Sequence, residues 1–341
     1  MFKVLLAAAS LVLFAATAQA GGLDDLKAAN AAAQQGNIDE SIRLFTQALG
    51  SSDLAPADQF AARNGRGSEY TSKSLIADAF ERLDQARGFR DNAIADFTAA
   101  LVIKTDDAAL YVARGQAYDL NGQYDPAIAD FDAALKLAKS PVTLAQRAGS
   151  ELAKGDYDRA VAGLTDALDL VTKGPKDARI EAVDIYSERG YAEFVAARYA
   201  AGAADFDKAV TLGSPKRGGD VLWLPYQAAW LHIARARAGQ NDAEELARNA
   251  GKIDVKQWPG TLVAYFLGQA KLELDELTPP SSHGSMGHAR ECGLSFFAAE
   301  QMLAKNDNAE AAKRLTRARA VCNIHTVYYL AAGVELKRLG K

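Results

Sequence analysis

The sequence predicts an all-α chain of stacked helical hairpins, and three observations predict it. A block of eight residues recurs at a nearly fixed period, Gly and Pro fall mostly between helical stretches, and Ala is abundant while Val and Ile are modest. The block Ala93-Ile94-Ala95-Asp96-Phe97-Thr98-Ala99-Ala100 returns as Ala127-Ile128-Ala129-Asp130-Phe131-Asp132-Ala133-Ala134, a period of about 34 residues. A third copy, Ala160–Ala167, keeps nearly that spacing, and a fourth, Gly202–Ala209, follows after a longer gap. Weaker copies stand at Ser41–Ala48 and Ala311–Ala318. A period in this range belongs to solenoids, where each hairpin leaves an apolar face that only a stacked neighbour can bury.

The chain opens MFKVLLAAASLVLFAATAQAGG: one Lys, an apolar run from Val4 to about Ala16, then Ala18-Gln19-Ala20. That order predicts a secretory signal peptide over residues 1–20, cut after Ala20. The run is short of the roughly 20 apolar residues a membrane span needs, which disfavours the alternative of a retained anchor. No Cys stands near the cleavage point for lipid attachment. The expected mature chain therefore begins at Gly21, is soluble and periplasmic, and carries 38 Lys+Arg (39 less Lys3) against 43 Asp+Glu, a net charge of −5. No basic block stands out, so nucleic acid is not an expected partner.

The stretch RGQAYDLNGQYDPAIADF, Arg114 to Phe131, shows one unit. Tyr111, Gly115 and Tyr118 lie at helical spacing on a first helix, and Gly122 marks the turn. The second helix is expected to open with Asp125 as N-cap and Pro126 at its first position. Gly115, Ala127 and Ala134 let the two helices approach closely, while Tyr124 and Phe131 are expected to fill space toward the next unit. Arg66-Gly67 through Tyr70 starts another such unit, yet its second helix comes late, near Asp91. Residues 71–87 then form a helical insertion or a degraded repeat.

The period and this Gly, Tyr, Ala and Phe pattern resemble the tetratricopeptide repeat (TPR). On that basis residues 21–215 form an array of about five repeats, with a loop at Thr172–Arg179. A helical segment over 216–278 follows, then a Pro/Ser/Gly-rich loop expected to be flexible over 279–289. A last TPR-like hairpin and a capping helix, HTVYYLAAGVELKRLGK, occupy 290–341. The order of signal sequence, repeats, Trp-rich segment around Trp230, Trp258-Pro259, YFLGQ ending near Gly268, and ELKRLG resembles the NlpI-type periplasmic TPR adaptors. That resemblance implies binding to peptidoglycan hydrolases and a processing protease, and pairing with a second copy of the chain. The typical member is a lipoprotein; here the lipid-bearing Cys is missing.

Cys292 and Cys322 are the two cysteines, and in an exported chain they predict a disulfide, the alternative being two buried free thiols. Motifs for zinc proteases, P-loops, redox CxxC pairs and serine hydrolases are missing from the sequence. His283, His288, Glu291 and Cys292 are the nearest approach to a metal set. Their Gly/Ser-rich surroundings and loose spacing favour a solvated linker, so no metal or cofactor is expected. His232, beside Trp230 and Ile233, reads as a core histidine, and His325 begins the capping helix.

The TPR resemblance implies a groove lined by the first helix of each hairpin. Its family positions fall on Ala109, Val112, Gln116, Asp119 and Leu120. In the next repeat they are Val142, Ala145, Gly149, Leu152 and Ala153, and further on Asp184, Ser187, Tyr191, Phe194 and Val195. Tyr191 and Phe194 are expected as anchors for a bound helix or extended peptide, the alternative being that they pack against neighbouring helices or a second protomer. The expected function is non-enzymatic: a scaffold adaptor for cell-envelope enzymes. The alternative is a chaperone-like holder of periplasmic clients such as apocytochromes or pilus subunits.

Overall fold

The computed structural model describes residues 21–80, 82–174, 180–213, 220–271 and 285–341, with backbone alone for 220–222 and 285–289. The expected signal peptide and its cut at Ala20, most of the Thr172–Arg179 loop, and residues 279–284 with His283 lie outside them. Among the described residues five hairpins come first: α1 (Gly22–Gln34) with α2 (Ile38–Gly50), α3 (Pro56–Ala79) with α4 (Leu83–Ile103), α5 (Ala108–Leu120) with α6 (Tyr124–Leu137), α7 (Pro141–Lys154) with α8 (Tyr157–Lys173), and α9 (Ala182–Val195) with α10 (Tyr199–Leu212). The segment α11 (Asp220–Arg237), α12 (Ala243–Ala250) and α13 (Gly260–Phe266) leads to a last hairpin, α14 (Ser285–Ala304) with α15 (Asn308–Val321), and to α16 (Val327–Arg338). The backbone of 285–289, expected as loop, is the first turn of α14. Among the described residues there is no strand.

Local chemistry sets the helix ends. Asp107 accepts from Leu110 N at 3.1 Å to start α5. Ser140 caps α7 with Pro141 in its first turn, and Gly155 ends that helix at φ 98°, a conformation open to glycine. The expected cap at Asp125 is displaced: α6 begins two residues earlier, at Tyr124, after Gln123. Asp125 and Pro126 sit inside the first turn instead. There Asp125 meets the positive end of the helix dipole, and Pro126 removes an N–H that has no intrahelical acceptor.

Within each of three hairpins a ring closes over a glycine. A Cβ on Gly67 would lie 2.7 Å from the Phe97 ring, one on Gly115 3.0 Å from Phe131, and one on Gly190 2.7 Å from Phe206. Phe131 therefore packs on its own first helix. In the α7–α8 hairpin the pair is Ala148 and Leu164, both buried: the smaller side chain on one helix leaves room for the methyl on the other. A guanidinium fork joins the same helices. Arg66 meets Asp96 at 2.7 Å through both Nε and Nη2, and Arg114–Asp130 and Arg189–Asp205 repeat it at 2.7–2.8 Å. Each Arg also donates from Nη1 to a Thr on the preceding hairpin, at Thr46, Thr98 and Thr165.

These forks measure the insertion. Arg and Asp are 16 residues apart in two of them and 30 in the α3–α4 hairpin. The difference amounts to about four turns of added helix. Both helices lengthen to hold it, by about two turns each, and the hairpin overhangs its neighbours by roughly 10 Å. The added stretch is thus an extension of one hairpin and not a repeat of its own. Ser74, Ala77 and Ala86 are buried between its helices, while Leu75, Ile76, Phe80 and Leu83 are exposed around its tip.

Candidate functional site

The first helices of successive hairpins lie side by side, and α16 packs against one of them, α9. The residues assigned to a groove divide sharply along this face. On α5, Ala109 is exposed and Val112, Gln116, Asp119 and Leu120 are half-buried. On α7, Gly149 is exposed, Val142, Ala145 and Ala153 are half-buried, and Leu152 is buried. On α9, Ser187, Phe194 and Val195 are buried, and Asp184 receives the Glu181 N–H at 3.0 Å as part of a capping box.

Phe194, expected as an anchor for a partner, is 0 % exposed. Its ring meets Trp230 at 5.2 Å and Tyr199 at 5.1 Å. Tyr191 lies 5.0 Å from Trp230 and 5.4 Å from Phe206, and its hydroxyl accepts from Gln227 Nε2 at 2.9 Å. Burial pushes the Tyr191 phenol well above its ordinary range. The aromatic pair is therefore engaged by the chain's own α11. Trp230 is the hub: besides these rings it carries Phe206, Phe296, Phe297 and Tyr328, all with centroids 5.1–5.7 Å away. Tyr328 brings α16 onto this cluster.

A buried charged network fixes α16 there. Arg237 of α11 donates to Glu300 of α14 and, at 3.1 Å, to Glu335 of α16. Tyr199 donates to Glu335 at 3.2 Å, and Arg338 pairs with Glu335 and donates to the Val195 carbonyl at the end of α9. Burial pushes the Glu300 carboxyl up to about 8; Arg237 pulls it down and Glu335 raises it further. The helix starts at Thr326, whose hydroxyl accepts from Tyr329 N at 3.3 Å, with His325 just before the cap. The Cys292–Cys322 disulfide, Cα–Cα 4.8 Å, joins α14 to the end of α15 and so fixes the chain just ahead of α16.

The open part of the face has its own polar features. Asp119 accepts from Ser150 Oγ of α7, and burial raises its carboxyl above the usual range. Gln116, one turn earlier, is half-buried. His232 lies away from all this, with Nδ1 at 2.8 Å from Asp242 Oδ2 and its ring 4.4 Å from Phe266, as a core histidine. Arg237, Glu300, Tyr328 and Glu335, to which the sequence assigned no role, hold α16 against α11 and α14. Their one sequence signal is ionisable groups set in apolar helices, in RARAG, FFAAEQ and VELKR. Among the described residues no helix is long and apolar enough to cross a membrane.

A family model described as a tetratricopeptide repeat matches residues 108–141, the α5–α6 hairpin. Curated proteins give no match. Among solved structures, a tetratricopeptide repeat protein from Parabacteroides merdae is similar over 91 % of this chain and 98 % of its own, at 12 % identity and a TM-score of 0.55. The C-terminal part of a TPR repeat-containing protein from Cytophaga hutchinsonii aligns over 87 % of this chain and 95 % of its own (15 % identity, TM-score 0.48). Pseudomonas aeruginosa pilF aligns over 73 % of this chain and 97 % of its own, at 13 % identity and a TM-score of 0.47.

Proposed function

We propose that this tetratricopeptide repeat solenoid works as an exported adaptor for cell-envelope enzymes, holding them on the α5–α7 part of its inner face. Such a fold serves as a protein-binding scaffold, and the reading adds location and partner to that. The observation that carries it is the contrast along one face: the family groove positions are largely accessible on α5 and α7 and largely sealed on α9. The signal-like N-terminus and the disulfide support a periplasmic location. The partners implied by the family resemblance are peptidoglycan hydrolases and a processing protease.

The test is photo-crosslinking in the native host with the probe at Gln116 and then at Ala145, followed by mass spectrometry. Capture of peptidoglycan hydrolases or a periplasmic protease supports the adaptor. Capture of apocytochromes, pilus subunits or many unrelated unfolded chains replaces it with a holder of clients. Self-crosslinks alone turn the face into a contact between two copies of this chain.

A further inference from the structure

The geometry points to a hinge between α6 and α7, clasped by Arg147, that lets an arm of α1–α6 move against a body of α7–α16. Three features of the α7–α8 hairpin carry this inference. First, its fork is missing. Gly163 stands where Asp96, Asp130 and Asp205 stand in the other hairpins, so α8 offers Arg147 no carboxylate for a fork. It reaches back across the interface to Asp132 of α6, at 2.9 Å. Asp132 occupies the place of Thr46, Thr98 and Thr165, so this junction exchanges a neutral acceptor for an ion pair.

Second, the space left by the fork is filled by an unsatisfied group. Glu151 is 0 % exposed and stands where Tyr70 and Tyr118 stand in other units. Its carboxylate lies 3.0 Å from Arg159 and 3.6 Å from Arg147 Nε, yet neither oxygen accepts a hydrogen bond, and Arg147 Nε donates none. Burial raises the Glu151 carboxyl accordingly. Buried polar atoms without partners weaken the unit that holds them.

Third, the apolar core is divided here, and the buried Ala127, Ile128, Phe131 and Ala134 of α6 belong to neither of the two clusters that flank them. One core runs through Phe97, Leu101, Leu110 and Ala117 and ends on α5. The other starts at Leu144 and Ala148 on α7 and runs on to α16. Across the junction the named links are polar: Arg147–Asp132, Lys154–Asp125 at 2.8 Å, and Ser150 to Asp119. Apolar contact resists separation at any ionic strength, whereas exposed ion pairs weaken as salt screens them. Movement here changes the spacing between α5 and α7, and with it the width of the open face. The hinge stands whether or not that face binds proteins.

Distances between spin labels test it in the full chain. One label pair spans the junction, on Val102→Cys in α4 and Leu212→Cys in α10, both well exposed in the native protein. A second pair lies within the arm, on Val102→Cys and Leu137→Cys. Labelling without reductant keeps the native disulfide closed. Raising salt from about 0.01 M to about 1 M, which cuts the screening length from ~30 Å to ~3 Å, is expected to broaden the spanning distribution and leave the arm pair unchanged. Asp132→Thr, the residue that the other junctions already use, is expected to give the broad distribution at low salt. Gly163→Asp, which offers Arg147 a fork of its own, is expected to do the same. Spanning distributions that superimpose at both salt levels and in both variants overturn the hinge. Equal broadening of both label pairs also overturns it, because the softening is then general. If either variant fails to fold, the salt response of the otherwise native protein decides.

Discussion

On α5 the inner-face positions remain within reach of solvent; on α9 the matching positions lie under Trp230 and beside α16. The two helices come from the same repeat template, so the template does not set which is accessible. What sets it is what stacks later. Beyond α10 the chain returns over the α9 face with Trp230, and then with Tyr328 of α16, whereas among the described residues no such return covers the α5 face in full. The means of holding differ as well. The hairpins of α3–α4 and α5–α6 are each clamped by a partly exposed Arg–Asp fork, a device that α9–α10 shares and α7–α8 lacks. The C-terminal body is locked by a buried network in which one guanidinium serves two carboxylates.

That comparison can be broken by substitution. The largest effects belong to the filled end. Arg237→Ala leaves Glu300 and Glu335 buried together, and a loss of about 3–5 kcal/mol in denaturant unfolding is expected. Phe194→Ala opens a cavity beside Trp230 and costs a similar amount, about 3–5 kcal/mol, so its first consequence is unfolding of the body and not the loss of a contact with a partner. A stability change within about 0.5 kcal/mol would return Phe194 to the groove.

The disulfide comes next. Replacing Cys292 and Cys322 by Ser reopens a loop of 30 residues and is expected to cost about 3–4 kcal/mol, with loss of amide protection concentrated in α14 to α16. In the open half, Gly115→Ala drives a methyl into the Phe131 ring and should cost about 1–3 kcal/mol. Adding Phe131→Leu recovers part of that loss, because Ala148 over Leu164 is the combination the α7–α8 hairpin already contains. Failure of the second substitution to help would show that the two hairpins pack by different rules.

The smallest effects are a pH slope and a surface change. Glu300 is pushed up to about 8 in the folded chain, above its value near 4.5 in an unfolded one. A carboxyl raised on folding contributes stability in full at low pH and loses it as pH rises through the folded value. Denaturation midpoints should therefore fall between about pH 5 and pH 8, and Glu300→Gln should flatten that slope. Gln116→Ala is expected to change stability by less than about 0.5 kcal/mol while removing crosslinked partners.

Much of the fold was legible in the sequence because the repeat writes the same instructions several times. Asp96-Phe97, Asp130-Phe131 and Asp205-Phe206, each with an Arg-Gly on the preceding helix, announce hairpins of one kind, and the late second helix near Asp91 announced the insertion. The cysteine pair was legible from its count and its place at one end of a hairpin. The groove was legible only in part. Family positions gather on the first helices of the hairpins, but Tyr191 and Phe194 read as exposed aromatics since their covering residues, Trp230 and Tyr328, come much later in the chain. Helix periodicity reports which residues share a face. It says nothing of what arrives on that face from afar.

What the sequence by itself determined is the hairpin and its repetition: the helix periods, the glycine beneath the ring, and the acidic partner for the Arg. All of these act over a few turns, so local spacing suffices to specify them. What only the tertiary structure decided is where the array is open. The return of α11 and α16 over α9, the sharing of Arg237 between Glu300 and Glu335, and the recruitment of Arg147 to a neighbouring hairpin depend on contacts between distant segments. Such contacts form where burying apolar surface and pairing the charges trapped with it lowers the free energy of the whole chain, a condition that no local stretch contains.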